Sequence, residues 1–350
     1  MKLKKFLALV IAVMTLLSTV NVLSLAGPLD VYDSPEASAM AKEFVLGEGP
    51  KVDGISIDYG YFSPVKKNDK TKYPLVIWFH GLGDGSSPGR QITGSNIAAW
   101  ASEDYQIRFG DVGGAFILAP RCEDGNDTWG DKYIVPTRAA IDDFIAEHRK
   151  NIDVTRIYVG GYSMGGKMTL KMLGAYPEMF AAAFPICPAW VPNEAAVACF
   201  KDVPVWMTSG AQDPLVNYYA FAMTTWNRII AQSNVAELCQ LSTLKKTCFP
   251  DGKRAYSAHL SWFSVNNDMF SSTDGDYPNM NTINGNGDTV VLQYPNGMIS
   301  WLSGFESDYD GSPATDKGND EAYTGFDMNV FTFIIAWIKN YFASLKNLWK

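Results

Sequence analysis

The stretch Ile157-Tyr158-Val159-Gly160-Gly161-Tyr162-Ser163-Met164-Gly165 decides how this chain folds. It begins as an apolar run typical of a buried strand, and residues 164–175 follow a helical pattern that Pro177 ends. A GxSxG pentapeptide therefore lies between a strand and a helix, where its glycines permit a tight turn. This arrangement would hold the Ser163 hydroxyl at the carboxyl edge of a sheet, although an ordinary strand-to-helix glycine turn has the same pattern.

Apolar runs and helical patterns alternate on both sides of this stretch. Residues 55–61 alternate like a half-exposed strand, while residues 75–79, 115–119, 157–160, 181–186 and 203–207 are predicted to be buried strands. Helices are predicted at 135–150 and 164–175. Because buried strands alternate with helices, the sequence predicts an α/β fold with a doubly wound, mostly parallel sheet.

The N-terminus has the pattern of a secretory signal peptide, predicted over residues 1–26. Lys2, Lys4 and Lys5 precede an apolar run, and Ser24-Leu25-Ala26 places small residues at a cleavage site. A retained membrane anchor fits less well, because the run is shorter than the ~20 residues that a spanning helix needs. We therefore expect a secreted, extracellular protein.

Composition excludes some functions. The formal net charge is −8 without a basic patch, so nucleic acid is not expected as a partner. Cys187 and Cys199, and likewise Cys239 and Cys248, are close enough in sequence to form disulfides, although free thiols are equally compatible with the pattern. With three histidines and no zinc-ligand spacing, the sequence predicts no metal site.

The C-terminal third divides by composition. A catalytic domain is predicted over 27–305, with residues 266–296 as an inserted polar loop or hairpin and 297–305 as a final helix. Residues 306–327 are predicted to be an acidic linker. Residues 328–350 form an amphipathic pattern, which predicts a C-terminal helical extension that contacts a membrane surface or partner, or else packs back on the domain.

A serine nucleophile needs a base, and only three histidines exist. His148 is expected mid-helix on a solvated face. His80 follows the buried strand at 75–79 and is interpreted as structural, although a simple turn would have the same sequence. His259 lies after Ser163 in the chain and is the remaining candidate.

The base needs an orienting carboxylate. Asp213 comes just after the strand at 203–207 and a glycine turn, which lets it reach His259 across the sheet edge. A turn-forming Asp before Pro214 is the alternative interpretation. Asp202 and Asp251 are weaker candidates, since neither follows a core strand.

Taken together, His80-Gly81-Leu82-Gly83-Asp84, the GxSxG motif, Asp213 and His259-x-x-Trp262 resemble the esterase and predicted-peptidase branch of the α/β-hydrolases. That branch is similar to the phospholipase/carboxylesterase family and to secreted feruloyl and acetyl-xylan esterases. The resemblance covers roughly residues 52–305. It implies a Ser163–His259–Asp213 triad, an oxyanion hole at the N–H groups of Leu82 and Met164, and no cofactor.

The expected reaction is hydrolysis of a carboxylic ester through an acyl-enzyme, on a plant glycan or another small acyl ester. Trp129, Tyr162 and Trp262 are predicted to contact substrate, although a packing tryptophan is the commoner outcome for Trp129. A serine peptidase of prolyl-oligopeptidase-like type shares this acyl chemistry. A catalytically idle binding module is the third hypothesis, and the complete triad argues against it.

Overall fold

The computed structural model describes residues 35–66, 69–94, 96–123, 128–245, 257–266, 280–292, 297–314 and 317–327. The predicted signal peptide (1–26), the predicted C-terminal helix (328–350) and most of the predicted insertion (266–296) lie outside these residues. Those assignments stay predictions. Within the described residues, no helix is both long enough and apolar enough to cross a membrane.

The described residues form a main sheet of nine strands in the order β1-β2-β4-β3-β5-β6-β8-β9-β10. The strands from β4 to β9 in this order pair in parallel, and β1, β2 and β10 add antiparallel edges. The prediction of an α/β fold with a mostly parallel sheet is confirmed. The strands are β1 Val45–Glu48, β2 Asp58–Phe62, β3 Tyr73–Phe79, β4 Phe116–Arg121, β5 Ile152–Tyr162, β6 Ala182–Ile186, β7 Trp190–Pro192, β8 Trp206–Gly210, β9 Gln240–Leu244, β10 Met280–Asn284 and β11 Gly325–Asp327.

Helices connect the parallel strands, as right-handed crossovers require. The described α-helices are α1 Pro35–Met40, α2 Arg90–Thr93, α3 Glu103–Gln106, α4 Ile134–Glu147, α5 Met164–Ala175, α6 Glu194–Ala198, α7 Thr224–Gln232, α8 Trp262–Asn266 and α9 Met298–Leu302. A π-helical turn, Tyr218–Met223, precedes α7. The predicted helix at 164–175 has the bounds of α5, and the one at 135–150 begins and ends slightly earlier.

Strand β3 shows why the centre of the sheet reads as continuously apolar. All seven of its residues are buried. Leu75, Ile77 and Phe79 belong to the large core cluster, whereas the Trp78 ring stacks on Phe184, which itself stacks on Trp100. Both faces of the sheet are thus covered, as expected for a parallel sheet between helical layers.

The predicted insertion extends the sheet where it is described. Strand β10 pairs antiparallel with β9, and Ile283 bridges Thr289 in the returning chain. Residues 280–290 are therefore a hairpin at the sheet edge, one of the two forms predicted for this polar stretch.

The prediction of a linker at 306–327 is wrong for its described residues, because they pack on the domain. The buried Tyr309 accepts a hydrogen bond from Arg138 Nη2 at 2.9 Å, and Ala322 is buried beside α5. Strand β11 pairs antiparallel with β7. The acidic composition obscured these contacts, since a few apolar side chains and one strand pairing are enough to fix the segment.

His148 does not lie on a solvated face. It follows the last residue of α4, and its ring lies 4.5 Å from that of Phe144, between Tyr61 and Phe116. Burial lowers the pKa of this imidazole. The prediction placed His148 in the middle of a helix, but the helix ends at Glu147, one residue before it.

Cys187, Cys199 and Cys239 carry free thiols. Of the two alternatives left open for Cys187 and Cys199, the structure has free thiols: Cys187 follows β6, whereas Cys199 follows α6 in the helical layer. Cys248 lies outside the described residues. Burial raises the pKa of the Cys199 and Cys239 thiols, which keeps them protonated and inert.

Candidate active site

Ser163 lies at the sharp turn between β5 and α5. Its φ of 55° and ψ of −115° are unusual for a residue with a side chain, and such backbone conformations cost about 1–3 kcal/mol each. The turn is held by neighbouring backbone. Ser163 N–H donates to Ile186 O at 2.9 Å, and Ser163 O accepts from Ala189 N–H at 3.0 Å. The surrounding structure therefore fixes a strained residue at the carboxyl edge of the sheet.

The glycines of the GxSxG motif are required by close packing. A Cβ at Gly165 would overlap the backbone carbonyls of Phe79 and His80, and a Cβ at Gly161 would also overlap the carbonyl of Phe79. The end of β3 thus passes directly beside the turn. This contact brings the loop after β3 next to Ser163.

Asp213 and His259 meet at the same edge of the sheet. Asp213 lies three residues beyond the end of β8, and its Oδ1 accepts hydrogen bonds from the N–H groups of Leu215 and Val216, both at 2.8 Å. Its Oδ2 lies 2.8 Å from His259 Nδ1. Asp202 instead accepts a hydrogen bond from Asn234, and Asp251 lies outside the described residues.

The buried Asp213–His259 pair controls the charge of the imidazole. Burial by itself lowers the pKa of His259, but the Asp213 carboxylate, together with the neighbouring Cys187 side chain, outweighs this effect and raises the pKa well above its ordinary value. A carboxylate that accepts from Nδ1–H leaves Nε2 free to accept a proton. The pair therefore orients the imidazole through Nδ1 and stabilises its charged form.

The loop after β3 is fixed by a network around His80. The His80 Nε2 accepts a hydrogen bond from Cys122 N–H at 3.1 Å, so its Nδ1, 2.7 Å from Gly81 O, is the donor. Asp84 at the end of the loop accepts a hydrogen bond from the Tyr162 hydroxyl. The interpretation of His80 as structural fits this geometry.

Leu82 and Met164 are the two residues predicted to donate to an oxyanion, and that role stays a prediction. Leu82 is 46% exposed on the loop after β3, and Met164 is the first residue of α5. The first N–H groups of a helix have no intrahelical acceptor, so that of Met164 can serve an anion at Ser163.

Comparison with known proteins agrees with the fold. The sequence profile of the family Phospholipase/Carboxylesterase matches residues 131–251, which include Ser163 and Asp213. A solved structure described as a thermostable esterase is 26% identical, with a TM-score of 0.54 over 65% of this chain and 61% of that chain. The chain has the α/β-hydrolase fold.

Curated proteins similar to this chain include esterases. A bifunctional acetylxylan esterase/xylanase of Neocallimastix patriciarum is 28% identical over 177 residues, 49% of this chain and 24% of that protein. A poly(3-hydroxyalkanoate) depolymerase C of Paucimonas lemoignei is 39% identical over 138 residues, 36% of this chain and 30% of that protein. The chain spans about a quarter to a third of the length of these two relatives. The resemblance predicted from the motifs, to the esterase branch, is confirmed.

The three aromatic residues predicted to contact substrate are buried. Trp129 is 0% exposed and donates a hydrogen bond from Nε1 to His80 O at 2.9 Å. The buried Tyr162 and Trp262 rings stack on each other, and Trp262 also contacts the edge of the His259 ring. Trp129 thus has the packing role that was its alternative interpretation, while substrate contact by Tyr162 and Trp262 stays a prediction.

Sequence reasoning missed an apolar wall beside the nucleophile. Val216, Phe221, Ala189 and Val191 form a small buried cluster, against which the partly exposed Met164 packs. Val216 belongs to the same turn as Asp213, so the wall is continuous with the acid loop. No motif marks these residues, because they come from three separate segments.

Sequence reasoning also missed Cys187. This residue follows β6 just as Ser163 follows β5, and its thiol lies with the Asp213 and His259 side chains in one buried cluster. Its position directly after a buried strand was the available indication. Spacing along the chain could not reveal it, since 26 and 72 residues separate Cys187 from Asp213 and His259.

Proposed function

We propose that this protein is a serine hydrolase that cleaves carboxylic esters through an acyl-enzyme, with Ser163 as nucleophile, His259 as base and Asp213 as the orienting acid. The observation that carries the proposal is the 2.8 Å contact between His259 Nδ1 and Asp213 Oδ2, at the sheet edge where the strained Ser163 turn also lies. Burial of all three residues favours a preorganised arrangement.

In the first half of the reaction, Ser163 Oγ attacks the ester carbonyl while His259 Nε2 takes the hydroxyl proton. Asp213 stabilises the imidazolium, which then gives that proton to the leaving alcohol. The result is an acyl-enzyme on Ser163 and a released alcohol. In the second half, His259 takes a proton from water as its oxygen attacks the acyl carbonyl, and the imidazolium then returns that proton to Ser163 Oγ as the bond to the acyl group breaks, which releases the acid.

Each tetrahedral intermediate carries an oxyanion. The backbone N–H groups of Leu82 and Met164 are proposed to donate to it, with the N-terminus of α5 adding a favourable dipole. Losing one such donor typically costs ~10²–10³ in rate. Both proposed donors are backbone N–H groups, which a side-chain substitution does not remove. Substitution therefore tests the nucleophile more directly than the oxyanion hole.

The substrate is proposed to be a small acyl ester, such as an acetyl or feruloyl group on a plant glycan. Support comes from the relatives, one described as an acetylxylan esterase/xylanase and one as a poly(3-hydroxyalkanoate) depolymerase, and from the apolar wall beside Met164. The deciding assay measures turnover of p-nitrophenyl esters of increasing chain length, methyl ferulate, acetylated xylan and a peptide anilide. Preference for the anilide would replace the esterase proposal with a peptidase.

The nucleophile is tested by Ser163→Ala beside Ser233→Ala, which changes a serine after α7, remote from the site. Ser163→Ala should reduce kcat on the order of 10⁶-fold, and Ser233→Ala should not change it. Wild-type turnover in Ser163→Ala would refute the assignment. A fluorophosphonate probe that fails to label folded wild-type protein would favour an idle binding module.

Export completes the proposal. Protein recovered from the culture medium should begin at Gly27, as N-terminal sequencing would show. An N-terminus at Met1 would contradict cleavage after Ala26.

Peripheral contact with a membrane through residues 328–350 is a separate part of the proposal, and it depends on the amphipathic pattern alone. Full-length protein should float with liposomes, and a chain ending at Asp327 should not. Equal flotation of the two chains would remove this role.

A further inference from the structure

Cys187, Asp213 and His259 form a compact cluster of potential metal ligands. One ligand atom from each residue lies within 4.8 Å of the others, and all three residues are buried. Among the described residues, this is the group of three His, Cys, Asp or Glu side chains whose ligand atoms lie this close together. The cluster includes two members of the proposed triad but gives them a partner that ester hydrolysis does not use.

We propose that this cluster is an inhibitory binding site for a divalent zinc ion. Thiolate sulfur, imidazole nitrogen and carboxylate oxygen are the ligand types that Zn²⁺ prefers, at about 2.0–2.3 Å from the metal. Ligands at such distances lie roughly 3.3–3.8 Å apart in a tetrahedral site. The three side chains are therefore within small movements of a zinc tripod, with a fourth position open to water.

Charge balance favours the same ion. Ionised Cys187 and Asp213 carry two negative charges, which a divalent cation neutralises without leaving an uncompensated charge in a buried site. A monovalent cation would leave one charge unpaired. Hard divalent cations such as Mg²⁺ prefer oxygen ligands and would gain little from a thiolate.

Backbone contacts hold the thiol in place. Cys187 N–H donates to Thr208 O at 2.8 Å, so β6 and β8 fix this residue beside the acid loop. The Cys187 Sγ lies 3.5 Å from His259 O, to which the thiol donates. The φ of Cys187 is 36°, a second strained position at this sheet edge. The ligand set is thus largely preformed.

Metal binding here would inactivate the base. Asp213 approaches His259 from the Nδ1 side, so an ion shared by both residues binds Nδ1. When zinc binds the neutral imidazole at Nδ1, the ring keeps one proton, which is now on Nε2. The Cys187 thiol loses its proton to solvent, so each bound ion releases one proton in total. With a proton on Nε2, His259 cannot take the proton of Ser163. Inhibition rests on the proposed function, whereas metal binding does not.

The first test is zinc inhibition of ester hydrolysis by the full-length protein. Wild-type turnover should fall as Zn²⁺ is added and return with a chelator. Cys187→Ala should keep its turnover but need at least about tenfold more zinc, since losing even an outer-shell partner commonly costs 10–100-fold in metal affinity. Cys239→Ala, which removes a buried thiol away from the site, should respond like wild type. Equal zinc sensitivity of Cys187→Ala and wild type would overturn the proposal.

The second test does not require activity. Co²⁺, a spectroscopic substitute for Zn²⁺, should produce a thiolate-to-cobalt charge-transfer band in wild-type and Ser163→Ala protein. The band should be absent in Cys187→Ala. Asp213→Asn keeps the thiol and should still give the band, but with a cobalt affinity at least about tenfold lower. If the band appears but no ester is cleaved, the hydrolase proposal fails and the metal site stands. If wild type gives no band, the metal site is refuted.

Discussion

The indole Nε1–H of Trp129 donates a hydrogen bond to the backbone carbonyl of His80 at 2.9 Å. His80 follows β3 and Trp129 follows β4, so the bond joins the loops of two neighbouring strands. The His80 ring is fixed in turn by Cys122 N–H. These contacts position the backbone that leads to Leu82, one of the proposed oxyanion donors.

Removing this bond should affect catalysis more than substrate binding. We expect Trp129→Phe to lower kcat about 10–100-fold with little change in KM, because a displaced donor is felt mainly in the transition state. The matched control is Trp206→Phe, which loses the hydrogen bond from Nε1 to Ser242 Oγ. Trp206 is the first residue of β8, at the end of the strand away from Asp213. Both variants should lose about 1–3 kcal/mol of stability in denaturant unfolding. An equal fall in kcat for both would refute the positioning role of Trp129.

Asp213→Asn should keep the fold but lower kcat by about 10⁴, as found when an amide replaces the acid of such a triad and the imidazole adopts the wrong tautomer. Asp202→Asn is the control, because Asp202 contacts Asn234 far from His259. Steady-state kinetics on the best ester would measure both. Comparable activity in the two variants would assign the acid role elsewhere.

The pH profile should report His259. Hydrolysis needs the neutral imidazole, so kcat/KM should rise with pH through the pKa of this residue. Because Asp213 raises that pKa above the ordinary value, the midpoint should lie above about 6.5 in wild type. In Asp213→Asn the midpoint should move to lower pH. A midpoint unchanged by this substitution would show that another group controls the acid limb.

The segment 306–327 should contribute measurably to stability. Tyr309 is buried, and its hydroxyl donates to Ser312 O at 2.7 Å while accepting from Arg138. Tyr309→Ala should lower the free energy of unfolding by about 3–5 kcal/mol, the usual cost of removing a buried aromatic ring. Tyr219→Ala, at a residue 72% exposed, should change it by less than about 0.5 kcal/mol. If residues 306–327 were only a linker, the two substitutions would change the free energy of unfolding by the same small amount.

The sequence was sufficient for the sheet and for the residues that follow its strands. Apolar runs such as that of β3 have a single interpretation once they alternate with helices, and Ser163 and Asp213 could be found because each follows such a run. His259 was found by elimination among three histidines. Both kinds of inference use only neighbouring residues in the sequence or the number of residues of one type. Neither requires knowledge of which loops are in contact.

What failed depended on packing between distant segments. The burial of Trp129 follows from a partner 49 residues away, and the pairing of β11 with β7 joins strands separated by more than 130 residues. Composition marked residues 306–327 as solvated, because their few apolar anchors are diluted by acidic neighbours. Cys187 was missed for the same reason, since its neighbours in space are not its neighbours in sequence.

The backbone of Ser163 has a consequence for how this protein could change over time. A glycine at that position would adopt the same turn without the strain and would therefore make the protein more stable while removing its nucleophile. Selection for persistence alone would favour that loss. The serine at the turn is thus a residue that only continued demand for its hydroxyl would keep in the gene.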